Sequence, residues 1–222
     1  MKIEDLNKEY DMLQQKYGDI NLDSIYNGGC KNNPDICFIF MNSTGRNIAS
    51  NKSWTGPKSP WIGTKNIWDL FVAVNLMDKE IYKKIKLYKA SDWTEKFAEE
   101  VYDDVKRHKY FITNLGKCTQ IDAKVIPDKV YKEYLDLLLK EIEIIKPKVI
   151  ILFGNQVSSI VLNKKISVST VRKQMFPLKI NNKIYKTYSV YYPVGNGRFN
   201  IDKAIEDINW IIENEIKEKV NV

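Results

Sequence analysis

The sequence predicts an α/β protein organised around a largely parallel sheet, and three observations carry that prediction. Short apolar runs alternate with longer stretches of helical period, the arrangement expected of crossover units. The 222 residues are 44% hydrophobic and 12% aromatic, enough to bury one substantial core, so residues 1–222 read as a single domain. No apolar run approaches the roughly 20 residues of a membrane span, so a soluble, cytoplasmic protein is expected.

In chain order, "MKIEDLNKEYDMLQQKYG" reads as an amphipathic helix that lacks a signal-peptide core. "DICFIFM" (35–41) is the first clear strand, and "NIWDLFVAVNLM" (66–77) reads as a helix. "KEIYKKIKLYK" (79–89) interleaves basic and aromatic residues; it reads as a solvated helix face, with a nucleic-acid surface as the alternative. "YFITNL" (110–115) and "KVIILFG" (148–154) are two further strands. Between them Tyr131, Tyr134, Leu135, Leu138, Leu139, Ile142 and Ile145 share one helical face, with Pro127 at the start and Pro147 just past the end. "FPLKINNKIYKTYSVYYP" predicts a hairpin turning at Asn181-Asn182, and "IDKAIEDINWIIENEIKEK" (201–219) a last helix.

Charge and cysteine usage narrow the partners. Thirty-five basic residues against 28 acidic give a formal +7, spread along the chain, which suits a polyanionic partner. Cys30, Cys37 and Cys118 are three cysteines without CxxC pairing, so neither a disulfide framework nor a closed zinc site is indicated. The single histidine, His108, precedes a strand and therefore falls at the wrong end of the sheet for chemistry.

Open sheets of this class bind ligands beyond the carboxyl ends of their strands. Those ends read "MNSTGR" (41–46), "TNLGKC" (113–118), "FGNQ" (153–156) and "YYPVGNGR" (191–198). They supply asparagines, hydroxyls, glycines and arginines. An asparagine alone is common wherever a strand turns into a loop; the combination and order of these segments point to a site.

That order resembles the uracil-DNA glycosylase superfamily over roughly residues 35–210. "FMNST" is similar to the first motif of the mismatch-specific and single-strand-selective branches, with Asn42 at the water-positioning residue and Phe40 and Ser43 in place of the usual Gly and Pro. "SPWIGTKNIWDLF" resembles the Pro-Phe-Val-Gly segment of the iron–sulfur branch, which puts Trp61 where an aromatic ring stacks on the flipped base. "YFITNLGKC" with "IKPKVIILFGNQ" resembles that branch's Ile-Thr-Asn…Lys-Cys and Pro-Lys-Val-Ile…Leu-Gly succession, and Asn114 matches the residue that reads the uracil edge. Met41 and Gly63, beside Asn42 and Trp61, join the expected substrate-binding set. Gly195, Asn196, Gly197 and Arg198 are expected to face DNA. The resemblance implies a three-layer αβα sandwich with a central, mostly parallel four-stranded sheet, acting as a monomer on DNA.

The departures matter as much. The family's second motif normally begins His-Pro, and here it begins Tyr192-Pro193, so Tyr192 takes the place of the electrophilic histidine. Only Cys118 falls at a cluster-ligand position of the iron–sulfur branch; no cluster, metal or other cofactor is expected.

Excision of a base breaks a glycosidic bond through an oxocarbenium-like sugar while negative charge develops on the departing base. A polar group must hold water under the anomeric carbon, and a donor must stabilise an oxygen of the leaving base. Asn42 suits the first task through its carbonyl, although an amide cannot remove a proton as a carboxylate does. The phenol of Tyr192, or a backbone N–H in Val194-Gly195-Asn196, suits the second. The expected reaction is monofunctional removal of uracil, hypoxanthine or xanthine from single- or double-stranded DNA, leaving an abasic site. The alternative is a superfamily member that lost efficient catalysis with the Tyr192 change and serves as a DNA- or protein-binding module. A nucleotide-binding enzyme ranks behind both, because no GxGxxG or GxxxxGK[ST] follows the first strand.

Overall fold

The computed structural model describes residues 2–217. Strands β1 (Asn27–Gly29), β2 (Ile36–Phe40), β3 (Tyr110–Asn114), β4 (Val149–Phe153), β5 (Met175–Ile180) and β6 (Lys183–Val190) form one sheet in the order β1-β3-β2-β4-β6-β5. The four central strands, β3-β2-β4-β6, are mutually parallel. This is the expected parallel sheet, extended at each edge by an antiparallel strand.

Continuous apolar sequence produces β2, β3 and β4, each buried along its whole length, as strands covered on both faces must be. Alternation then sorts their side chains: Phe38 and Phe40 of β2 face one core, Cys37 and Ile39 the other. The first core is closed by α2 (Trp68–Ala73), α3 (Lys79–Leu87), α4 (Glu95–Arg107) and α7 (Ile201–Ile211). The second is closed by α1 (Asn7–Tyr17), α5 (Asp128–Ile145) and α6 (Asn155–Val161). The result is three αβα layers.

Several boundaries differ from the sequence reading for identifiable reasons. The amino-terminal helix opens with a 3₁₀ turn, Ile3–Leu6, before α1. The helix expected over 66–77 is only Trp68–Ala73, because Asn75 turns left-handed (φ 57°) and the Leu76 N–H bonds back to Phe71. The last helix changes after Ile211 to a π turn, Ile212–Ile216, and residues 218–219 of that expectation lie outside the described residues. α5 is bounded as expected: Pro127 is its N-cap, and Lys146 ends it in the left-handed region (φ 53°) ahead of Pro147. The hairpin turns at Asn181-Asn182 between Ile180 and Lys183. On α3, Lys83, Lys84 and Lys86 pair with Glu80, Glu100 and Asp69, which makes this a solvated, ion-paired face. Among the described residues no helix is long and apolar enough to cross a membrane.

The connections position the site. From β2 the chain crosses the α2–α4 layer to β3 on one side, and from β3 it returns through α5, on the opposite face, to β4 on the other side of β2. The chains leaving β2 and β3 thus lead to helical layers on opposite faces of the sheet, a topological switch point of the kind where open α/β sheets bind ligands.

Candidate functional site

The loops after β2 and β3 stay zipped together past the last sheet pair, Phe40 opposite Asn114. Leu115 N–H donates to the Phe40 carbonyl and Gly116 N–H to that of Met41, each at 2.8 Å, and Gly45 N–H donates to the Gln120 carbonyl at 2.7 Å. This continuation carries Asn42 and Ser43 alongside Asn114 and Gly116. A Cβ on Gly116 would lie 2.9 Å from the Tyr131 ring, so a glycine here lets the tyrosine reach the loop.

Two carboxamides meet on Ser43. Asn42 Nδ2 donates to the Ser43 carbonyl at 2.9 Å, and Asn114 Nδ2 donates to Ser43 Oγ at 3.1 Å. Asn42 Oδ1 accepts a 2.8 Å hydrogen bond from the Tyr131 hydroxyl, which fixes that amide. Asn114 is 1% exposed, and its Oδ1 has no hydrogen-bond partner among the described residues. Buried carbonyl oxygens are nearly always paired, so an acceptor left open here stands out.

Beside these groups lies a cavity of about 650 Å³, lined by residues that include Asn42, Ser43, Arg46, Trp61, Tyr192 and Gly195. Trp61 has φ 68°, an outlier for an aromatic residue, and its turn is held by Thr64, whose N–H and hydroxyl both donate to the Trp61 carbonyl. The indole meets Phe40 edge-on at 5.1 Å, and its buried Nε1–H, like Asn114 Oδ1, has no partner among the described residues. Tyr192 also stands edge-on to Phe40, at 6.1 Å. Burial pushes its phenol well above the ordinary tyrosine value, so it remains a neutral O–H donor.

Half of the sequence-selected residues gather in one place: Asn42, Trp61, Gly63, Tyr192 and Gly195 line the cavity. Asn114 joins them through Ser43 rather than by lining the wall itself. Met41 does not, since alternation sends its side chain to the α5 layer. Asn196, Gly197 and Arg198 lie beyond the wall on the 3₁₀ turn Gly195–Asn200. Gly197 serves packing: a Cβ there would fall 2.0 Å from the Tyr192 carbonyl oxygen. The third strand end also turns away, with Gln156 donating to Ile126 and Asp128 at the start of α5. His108 caps α4 before β3, at the opposite end of the sheet.

Sequence reasoning missed Tyr131 and Ser43. Tyr131 sits on the apolar face of α5, where its hydroxyl leaves no trace in the periodicity; Ser43 was visible only as a departure from the family's proline. A second buried cluster was also missed. Lys117 and Glu141, both wholly buried, pair at 2.8 Å, and Lys117 Nζ also donates to the Asn114 carbonyl and to Thr113 Oγ1. Burial lowers the pKa of Lys117, opposed by the adjacent Glu141 carboxylate.

The cysteines do not fit an iron–sulfur cluster. Cys37 and Cys118 are buried in the α5-side core, where burial pushes both thiols up, and no group of three His, Cys, Asp or Glu among the described residues is placed to hold a metal.

No curated protein matches the chain. A family model described as the uracil DNA glycosylase superfamily matches residues 29–206, which span every strand from β2 to β6 and all the cavity-lining residues named above. With more than half of its length matched, the chain belongs to the uracil DNA glycosylase superfamily.

Proposed function

We propose that the protein is a monofunctional DNA glycosylase that hydrolyses the N-glycosidic bond of uracil, or a related deaminated base, and leaves an abasic site. Superfamily membership supports glycosylase action on DNA. The observation that carries the finer reading is the junction at Ser43 of the Asn42 and Asn114 carboxamides, beside a cavity walled by Trp61 and Tyr192.

In this reading an extruded nucleotide enters the cavity with its base against Trp61 and its pairing edge toward Asn114. Asn42 Oδ1 has two lone pairs; Tyr131 occupies one, and the other accepts from a water beneath the anomeric carbon. Tyr131 locks the amide so that the carbonyl, not the NH₂, faces the water. As the glycosidic bond lengthens, water adds to the anomeric carbon and loses its proton to solvent, while the base departs with the bonding electrons. Tyr192, as a neutral phenol, donates to an oxygen of the departing base. Asn114 Oδ1 accepts the imide N–H of uracil, a donor that cytosine lacks at this position, and an edge mismatched to a buried acceptor is penalised.

The test is incubation with single- and double-stranded oligonucleotides carrying one uracil or one hypoxanthine, followed by alkaline cleavage at abasic sites. Wild type cleaves at the lesion, and Asn42→Ala loses about 10²-fold or more in single-turnover rate, the scale of a lost transition-state contact. Full activity in Asn42→Ala overturns the assignment.

A further inference from the structure

We infer that Ser43 is a base-reading residue: its hydroxyl and Asn114 Oδ1 form a composite donor–acceptor pair for the O=C–N–H edge shared by uracil and hypoxanthine. This rests on the glycosylase reading and names the substrate class of the same site.

A hydroxyl has one proton and two lone pairs. Ser43 Oγ accepts from Asn114 Nδ2, and the hydroxyl donates to no acceptor among the described residues. Its proton is therefore free to point at a ligand. That bond takes one of the two Nδ2 protons and turns the NH₂ toward Ser43, which leaves Oδ1 as the amide's unpaired acceptor. Ser43 lines the cavity and Asn114 lies against it. The Ser43 hydroxyl thus sets a donor beside that acceptor. The pair, Ser43 O–H beside Asn114 Oδ1, complements a carbonyl oxygen next to an N–H. Uracil carries that edge at O4 and N3, hypoxanthine at O6 and N1. Cytosine and adenine present an amino group beside a bare ring nitrogen, which meets donor with donor and acceptor with acceptor. A cavity of about 650 Å³ is within the range that holds drug-sized ligands, so edge chemistry rather than ring count is the filter. A proline at position 43 offers neither a hydroxyl donor nor an acceptor to the Asn114 amide, so this reader depends on the serine.

The experiment compares wild type with Ser43→Ala, which removes the hydroxyl, and Ser43→Cys, which keeps a side chain of similar shape with a poor donor. Single-turnover kcat/KM is measured on single-stranded oligonucleotides containing uracil or hypoxanthine, alongside affinity for an oligonucleotide with an abasic site, which has no base edge to read. Both variants should lose about tenfold to hundredfold on uracil and on hypoxanthine alike, with abasic-site affinity within about twofold of wild type. Unchanged kcat/KM in both variants overturns the inference and leaves the glycosylase reading standing. Parallel loss of abasic-site affinity overturns it too, by showing that the serine only shapes the loop. Wild type that releases neither base overturns the parent reading, and this inference with it.

Discussion

Two clusters of buried polar side chains grow from the same five residues, Thr113 to Lys117, and they differ in whether their hydrogen bonds close. On the α5 side, Glu141 accepts from Asn27 at 2.7 Å through Oε1, and from Thr113 and Lys117 through Oε2. The three protons of Lys117 Nζ meet Thr113 Oγ1, the Asn114 carbonyl and Glu141. Nothing is left over for a ligand. On the cavity side, by contrast, Asn114 Oδ1 and Trp61 Nε1 remain unpaired. A closed network returns its desolvation cost as rigidity, whereas an open one keeps that cost until something binds. The first cluster fixes the backbone of Asn114, and the second leaves that residue's carbonyl oxygen unpaired.

The largest effect is expected from removing Lys117. Lys117→Met leaves Glu141 buried without its cation and should cost about 3–5 kcal/mol of stability, seen as a Tm lowered by roughly 10 °C in thermal unfolding. Adding Glu141→Leu should return much of that loss, because replacing both ions by apolar groups removes the uncompensated charge. A single variant that melts like wild type would show that the network is not closed as described.

On the open side the effects fall on activity. Tyr192→Phe removes the donor to the leaving base and should lower the single-turnover rate by about 10²-fold with little change in Tm. Trp61→Ala should weaken substrate binding by about 1–3 kcal/mol, roughly fivefold to 150-fold, read by titration with a uracil oligonucleotide.

The smallest effect expected is that of pH. Burial raises the Tyr192 phenol above its ordinary value near 10, so the protonated donor persists at every pH below that, and the wall contributes no histidine or carboxylate. The rate should therefore stay level from about pH 6 to pH 9 in a single-turnover profile. A bell within that range would point to an acid or base elsewhere.

The sheet was legible because β2, β3 and β4 are uninterrupted apolar runs, and α5 because its face repeats at helical spacing between two prolines. β1 was not: Asn27-Gly28-Gly29 has the composition of a turn and is a strand only by pairing with β3. Half of the closed network was hidden with it, since Asn27 supplies a partner of Glu141. At the site, Asn42, Trp61 and Tyr192 could be selected from strand ends and motif order. The direction of each amide could not, because it depends on Tyr131 and Ser43, whose contacts span 89 and 71 residues of sequence.

The central claim is that Asn114 serves a ligand rather than the fold, and Asn114→Ala tests it most directly when single-turnover uracil release and thermal unfolding are measured on the same preparation. The rate should fall by about 10²-fold or more with Tm within a few degrees of wild type, since the change removes one neutral hydrogen bond together with one unpaired buried oxygen. Wild-type rates, or a collapse of stability that accounts for the lost activity, would contradict it.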